Sequence, residues 1–139
     1  MGFPTLVVLG VRRVSLCDAG VSAFPGTDTS GPTALIFSAS RVDATPTMVV
    51  LFNMKFHPTA LRGITASKSL LSLIKTYFDL GGWHIQFNVV DTKMLKDAQL
   101  HPGNYRDLIV RVAGFSAYWV ELSKQVQDEI IARTEFESF

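Results

Sequence analysis

Between Thr65 and Leu80 the apolar positions Leu70, Leu73, Ile74, Tyr77 and Phe78 recur at helical spacing, and Gly81-Gly82 follows where a C-terminal cap belongs. This pattern predicts a helix. The next stretch, His84-Ile85-Gln86-Phe87-Asn88-Val89, alternates polar and apolar residues, the period of a strand whose faces meet different environments, with Ile85, Phe87 and Val89 on one of them. Asp91 is placed to cap a helix from Thr92 to about Leu100, and Pro102 prevents its continuation. Asp107 to Ala113 reads as a strand stopped by Gly114, and Ser116 to Leu122 resumes an extended, aromatic-rich pattern. Ser123 is placed to cap a closing helix that turns Val126, Ile130 and Ile131 inward and Lys124, Asp128, Glu129 and Arg133 outward.

The first third of the chain is less regular. Met1 to Gly31 is rich in Gly, Pro, Ser and Thr and is expected to be mainly loop. Pro32 opens a short helix ending near Arg41, Pro46 blocks helix, and Met48 to Phe52 suits a buried strand that runs into Asn53-Met54-Lys55-Phe56-His57-Pro58. Strands and helices therefore intermingle, and a mixed α/β fold is expected.

Length and charge narrow the function. A chain of 139 residues fits one core. Its 13 Lys+Arg against 12 Asp+Glu leave a net charge of +1, so no nucleic-acid partner and no acidic membrane surface is expected. The hydrophobic share of 47% is high for a small domain, which points to faces covered by something else. Cys17 is the only cysteine; it reads as an ordinary thiol, excludes an internal disulfide, and fits a reducing cytoplasm. Leu6-Val7-Val8-Leu9 is too short to span a bilayer, and Met1-Gly2 lacks the Ser or Thr at position 6 of a myristoylation signal.

Familiar chemistry fails on inspection. His57 and His84 have no carboxylate at ligand spacing, and no metal is assigned to them. Ser30, Asp28 and His57 lack a Gly-x-Ser-x-Gly nucleophile turn, and Gly26 to Gly31 lacks the lysine and helix of a phosphate loop. Gly114 is different. A glycine between two strand-like arms can be a simple bend. It is also the residue type whose α-carbon can flatten and share an unpaired electron with both flanking amides, because no Cβ opposes the planar geometry. Val112, Phe115, Tyr118 and Trp119 supply apolar neighbours that could shield it.

Leu108-Ile109-Val110-Arg111-Val112-Ala113-Gly114-Phe115-Ser116-Ala117-Tyr118 resembles the glycyl radical motif of the pyruvate formate-lyase family, an Arg-Val-small-Gly-aromatic core near the C-terminus. The tail from Leu122 to Glu135 resembles that family's closing helix. Upstream, Gly26-Thr27-Asp28 with Gly31-Pro32-Thr33-Ala34, then Asn53 to Pro58, then Tyr77 to Val89, resemble late barrel segments of the same enzymes. The likeness runs from about Asp18 to Phe139, and only Met1 to Val11 looks foreign. Phe after the glycine and Ala before it are nearer the dehydratase, decarboxylase and lyase branch than pyruvate formate-lyase itself.

The resemblance implies an organisation of irregular lead (1–17), late barrel segment (18–90) and glycine radical domain (91–139), with Gly114 storing the radical and Arg111, Val112, Phe115 and Tyr118 supporting it. It implies no bound cofactor. The radical is installed by an iron-sulfur activating enzyme that cleaves S-adenosylmethionine, and it moves to a barrel cysteine for anaerobic lyase, dehydratase or acyltransferase chemistry in the cytoplasm. Cys17 matches none of that cysteine's loop, so this chain alone is expected not to turn over; its partners are the activating enzyme and the rest of the barrel. Two other readings stay open: a noncatalytic accessory like the autonomous glycyl radical cofactor proteins, which the chain resembles only in its final third, and an inert truncated interaction module.

Overall fold

The structure is a computed structural model, and it describes residues 22, 23, 25–42 and 51–139 together with the backbone of two strands, β1 (Leu6–Val8) and β2 (Val11–Val14). These strands pair antiparallel, so the expected loop is replaced there by extended backbone. The valines account for the difference, since β-branched side chains favour strands more than nearby turn residues oppose them. Cys17 and the expected strand residues Met48 to Val50 lie outside the described residues.

Helix α1 (Gly31–Ala39) starts with Pro32 in its first turn and buries Leu35, Ile36 and Ala39. Strand β3 is Asn53–Phe56, later than the expected start; it is followed by a short 3-10 turn (Pro58–Leu61), then α2 (Gly63–Asp79) and β4 (Gln86–Val89). Pro58 both ends the strand and opens the turn, because it lacks an N–H for the ladder and its φ suits a first helical position.

Gly81 ends α2 as the pattern required. It adopts φ +91, its N–H donates to the Phe78 carbonyl at 2.9 Å, and the Gly82 N–H donates to the Tyr77 carbonyl at 2.9 Å. This pair of bonds is a Schellman cap, which satisfies carbonyls the helix leaves open. A Cβ at Gly82 would stand 2.4 Å from the buried Tyr77 ring. Gly82→Ala is therefore expected to lower stability by about 1–3 kcal/mol through overpacking, measured as a lower urea midpoint; an unchanged midpoint would show that the ring yields freely.

Strands β3 and β4 pair in parallel, with Asn53 opposite Gln86 and Lys55 opposite Asn88. The last strand, β7 (Glu135–Phe136), pairs in parallel with the other edge of β3, giving the order β4-β3-β7. One sheet face carries Met54 and Phe56 into a core with α1 and α2 that also includes Phe52, Tyr77 and Phe136. The opposite face carries Asn53, Lys55, Gln86 and Asn88, and all four are buried.

A second core covers the polar face. Helix α3 (Thr92–Leu100), hairpin strands β5 (Ile109–Arg111) and β6 (Ser116–Tyr118), and helix α4 (Lys124–Ala132) enclose Val90, Leu95, Ala98, Val110, Trp119 and Ile130. Both helices begin as expected: the Asp91 carboxylate accepts from Lys93 N at 2.7 Å, and Ser123 Oγ accepts from Val126 N at 3.4 Å. Arg133 does not face outward. Its Nη2 donates to the Val112 carbonyl at 3.1 Å, tying the end of α4 to the hairpin.

Lys55 joins the two layers. Its Nζ donates to Thr92 Oγ1 at 2.9 Å and to the Ile131 carbonyl at 3.0 Å, with Ile130 O at 3.4 Å, where α4 exposes its last carbonyls. Burial lowers its pKa to about 8, against the opposing pull of Glu135.

Candidate functional site

Gly114 lies at the tip of the β5-β6 hairpin. The strands pair Ile109 with Tyr118, Val110 with Ala117 and Arg111 with Ser116, and Val112 N donates to the Phe115 carbonyl at 2.9 Å, leaving Ala113-Gly114 as the turn. Gly114 adopts φ +79, a left-handed conformation that glycine enters without the usual steric cost.

Both peptide groups of this glycine are held. Its N–H donates to Gln86 Oε1 at 3.3 Å, and its carbonyl accepts from Arg111 Nη2 at 3.0 Å. Arg111 Nε donates at 2.8 Å to the same Gln86 oxygen. A single side-chain carbonyl on β4 thus fixes both the glycine amide and the guanidinium that grips the glycine carbonyl. Gln86 is itself oriented by its Nε2, which donates to Asn53 Oδ1, while Asn53 N donates to Ser22 Oγ at 3.0 Å. The relay runs from the loop before α1 across two strands to the hairpin tip.

Asn88 holds the root of the hairpin. Its Oδ1 accepts from Arg111 N at 2.7 Å and its Nδ2 donates to Arg111 O at 2.6 Å, so one side-chain amide serves as the strand neighbour that β5 lacks. Gln86 and Asn88 were visible in the alternation of β4, but sequence alone did not connect them with the glycine. The more buried face of β4 is the polar one; Phe87 is half-buried and Val89 exposed. Replacing Gln86 by Leu leaves the Gly114 N–H and Arg111 Nε without their shared acceptor. We expect a loss of about 1–3 kcal/mol in urea unfolding and faster amide exchange at Gly114; unchanged exchange would show that the tip is held otherwise.

The supporting residues behave differently from one another. Arg111 contacts the glycine directly, and Val112 closes the turn through its backbone. Phe115 and Tyr118 were expected to shield Gly114, yet they are 54% and 44% exposed, and Gly114 itself is exposed. Trp119, fully buried, turns into the second core, and half-buried Val112 packs against it. The hairpin's geometry explains this: β6 is an edge strand of a two-stranded ribbon, and Ser116 and Tyr118 on one of its faces are exposed. On the side where a Cβ would project, Leu51 methyls lie at 3.7 Å.

The fold also alters the reading of the histidines. His84 stays apart, but His57 is brought to two carboxylates, those of Asp91 and Glu135, from elements 34 and more residues downstream. No helix among the described residues is long and apolar enough to cross a membrane.

A family profile described as "Glycine radical" matches residues 17–120, which include Gly114 and its hairpin. The chain belongs to the glycine radical family. It is 59% identical over 125 residues to the indoleacetate decarboxylase of Tractidigestivibacter scatoligenes, covering 90% of this chain and 14% of that protein. It is 47% identical over 138 residues to the 4-hydroxyphenylacetate decarboxylase glycyl radical subunit of Clostridium scatologenes, covering 98% of this chain and 15% of that one. Among solved structures, the glycerol-bound B12-independent glycerol dehydratase from Clostridium butyricum superposes with a TM-score of 0.79 at 51% identity over 85% of this chain and 15% of its own. The chain therefore spans about one-seventh of the length of the relatives it matches, and its mixed α/β fold is that of glycyl radical enzymes.

Proposed function

We propose that Gly114 is the carbon that stores the radical of a glycyl radical enzyme of the decarboxylase, dehydratase and lyase branch. The observation that carries this reading is the placement of the glycine: a side-chain-free α-carbon at the exposed hairpin tip, its N–H held by Gln86 and its C=O by Arg111, at a φ of +79 from which a glycine can rotate to the planar geometry that both amides share. Residues 91–139 act as the glycine radical domain and residues 18–90 as a late barrel segment.

An activating enzyme of the iron-sulfur, S-adenosylmethionine-cleaving kind removes one hydrogen atom from the Gly114 α-carbon. The exposure of Gly114, Phe115 and Tyr118 suits that encounter, and the same apolar side chains then pack against the remainder of the barrel, which covers the radical from oxygen. The radical passes to a cysteine on that remainder, so this chain alone does not turn over substrate. The setting is anaerobic and cytoplasmic. The match to decarboxylases over 90% and 98% of the chain, well upstream of Trp83, supports a part of an enzyme over a free-standing radical carrier.

The test is anaerobic incubation with an activating enzyme and S-adenosylmethionine, read by electron spin resonance and followed by air. A doublet signal and later chain scission at Gly114 are expected; a folded chain that gives neither would rule out radical storage here.

A further inference from the structure

Each of three side chains at the junction of the two cores spends one polar atom on a backbone N–H, and the other polar atoms of the three converge. His57 caps the turn after β3, its Nδ1 accepting from Thr59 N at 3.2 Å with Thr59 Oγ1 at 2.6 Å. Asp91 Oδ1 caps α3 through Lys93 N at 2.7 Å. Glu135 Oε2, on β7, accepts from Thr92 N at 2.9 Å and from Thr92 Oγ1. The atoms left over are His57 Nε2, Asp91 Oδ2 and Glu135 Oε1. The histidine nitrogen stands 3.6 Å from the aspartate oxygen and 3.9 Å from the glutamate oxygen, and all three lie within 4.8 Å of one another.

These separations are too long for good hydrogen bonds and close to ligand spacing: bonds of about 2.1 Å place neighbouring ligands about 3.4 Å apart around a tetrahedral ion. The partners on the far atoms are the outer contacts that orient metal ligands. Side-chain exposures of 25%, 35% and 16% leave a path from solvent and room for a water or an outside ligand as a further donor. Two carboxylates outweigh the opposing positive end of α3 and the Lys55 ammonium, which reaches Glu135 from the Oε2 side through Thr92.

We propose that His57, Asp91 and Glu135 bind a divalent metal ion of the zinc type, which clips the end of β3, the start of α3 and β7 together. A mixed nitrogen and oxygen set of this kind selects zinc-like ions, whereas magnesium and calcium favour all-oxygen sites. Binding needs the His57 Nε2 lone pair. The neutral ring therefore carries its proton on Nδ1, whose N–H donates to Thr59 Oγ1 at 2.6 Å, and the bond from Thr59 N is given up in exchange.

The experiment titrates the folded 139-residue chain with Zn²⁺ by calorimetry, follows thermal unfolding in parallel, and repeats the titration with Co²⁺ for its tetrahedral absorption bands. Expected are one tight site, a rise in the unfolding midpoint with Zn²⁺ and none with Mg²⁺, and a loss of affinity of at least about 100-fold in His57→Gln and Glu135→Gln. His101→Asn, at the remote pair with Asp97, should bind as the unaltered chain does. Should His57→Gln unfold, Asp91→Asn, which keeps its capping oxygen, gives the same reading. Absence of tight binding by the folded chain, or binding that survives these substitutions, overturns the site.

Discussion

Gly114→Ala is expected to leave a folded chain that yields neither the radical doublet nor scission in air. The structure makes this substitution unusually clean. The added Cβ would meet Leu51 methyls at 3.7 Å, an ordinary contact, so the cost is the φ of +79 alone, about 1–2 kcal/mol for a residue with a side chain. A domain of typical stability survives that loss. The radical does not, because a planar α-carbon would drive the methyl group into the flanking peptides that Gln86 and Arg111 hold in place. Circular dichroism and urea unfolding establish that the variant is folded, and spin resonance after anaerobic activation gives the result. A doublet from the alanine variant would place the unpaired electron on another residue.

The largest loss of stability is expected at Trp119. Its side chain is fully buried among Val90, Leu95, Ala98, Val110 and Ile130, its backbone N–H donates to Leu108 O at 2.7 Å, and its backbone carbonyl accepts from Gln127 Nε2 at 2.8 Å. It anchors β6, and so the hairpin tip, to α3 and α4. Trp119→Ala should cost about 3–5 kcal/mol, the range for emptying a large aromatic from a packed core. Trp119→Phe should lose less, because the buried indole N–H has no hydrogen-bond partner among the described residues and its removal sacrifices no bond. Urea unfolding of the two variants checks both statements; equal losses, or an alanine variant within about 1 kcal/mol of the parent, would show that this core is not what holds the hairpin.

The elements legible in advance are those written by neighbours in the chain. Asp91 and Ser123 cap amides two and three residues away, and Gly81 and Gly82 return bonds to Phe78 and Tyr77, so their signatures are complete within one helical turn. The glycine motif was equally local, since the turn at Gly114 is closed by Val112 and Phe115. The clamp was not. Gln86 and Asn88 reach Arg111 and Gly114 across 23 to 28 residues, and an alternating strand does not announce which face will be buried when both faces carry side chains that can pack or pair. Phe115 and Tyr118 are exposed within this chain for a related reason: an aromatic residue can face a partner surface as readily as a core.

Read by itself, the chain determined its helices, the caps that start and stop them, the hairpin centred on Gly114 and the family to which that motif belongs, because each depends on bonds between residues a few positions apart. Only the tertiary structure decided that β7 returns to lie beside β3, that Lys55 and Arg133 turn inward, that Gln86 holds the glycine, and that His57 meets Asp91 and Glu135. Those contacts arise when parallel strands and two helical layers close over distances that local periodicity does not encode, and pairing register then chooses which polar atoms meet.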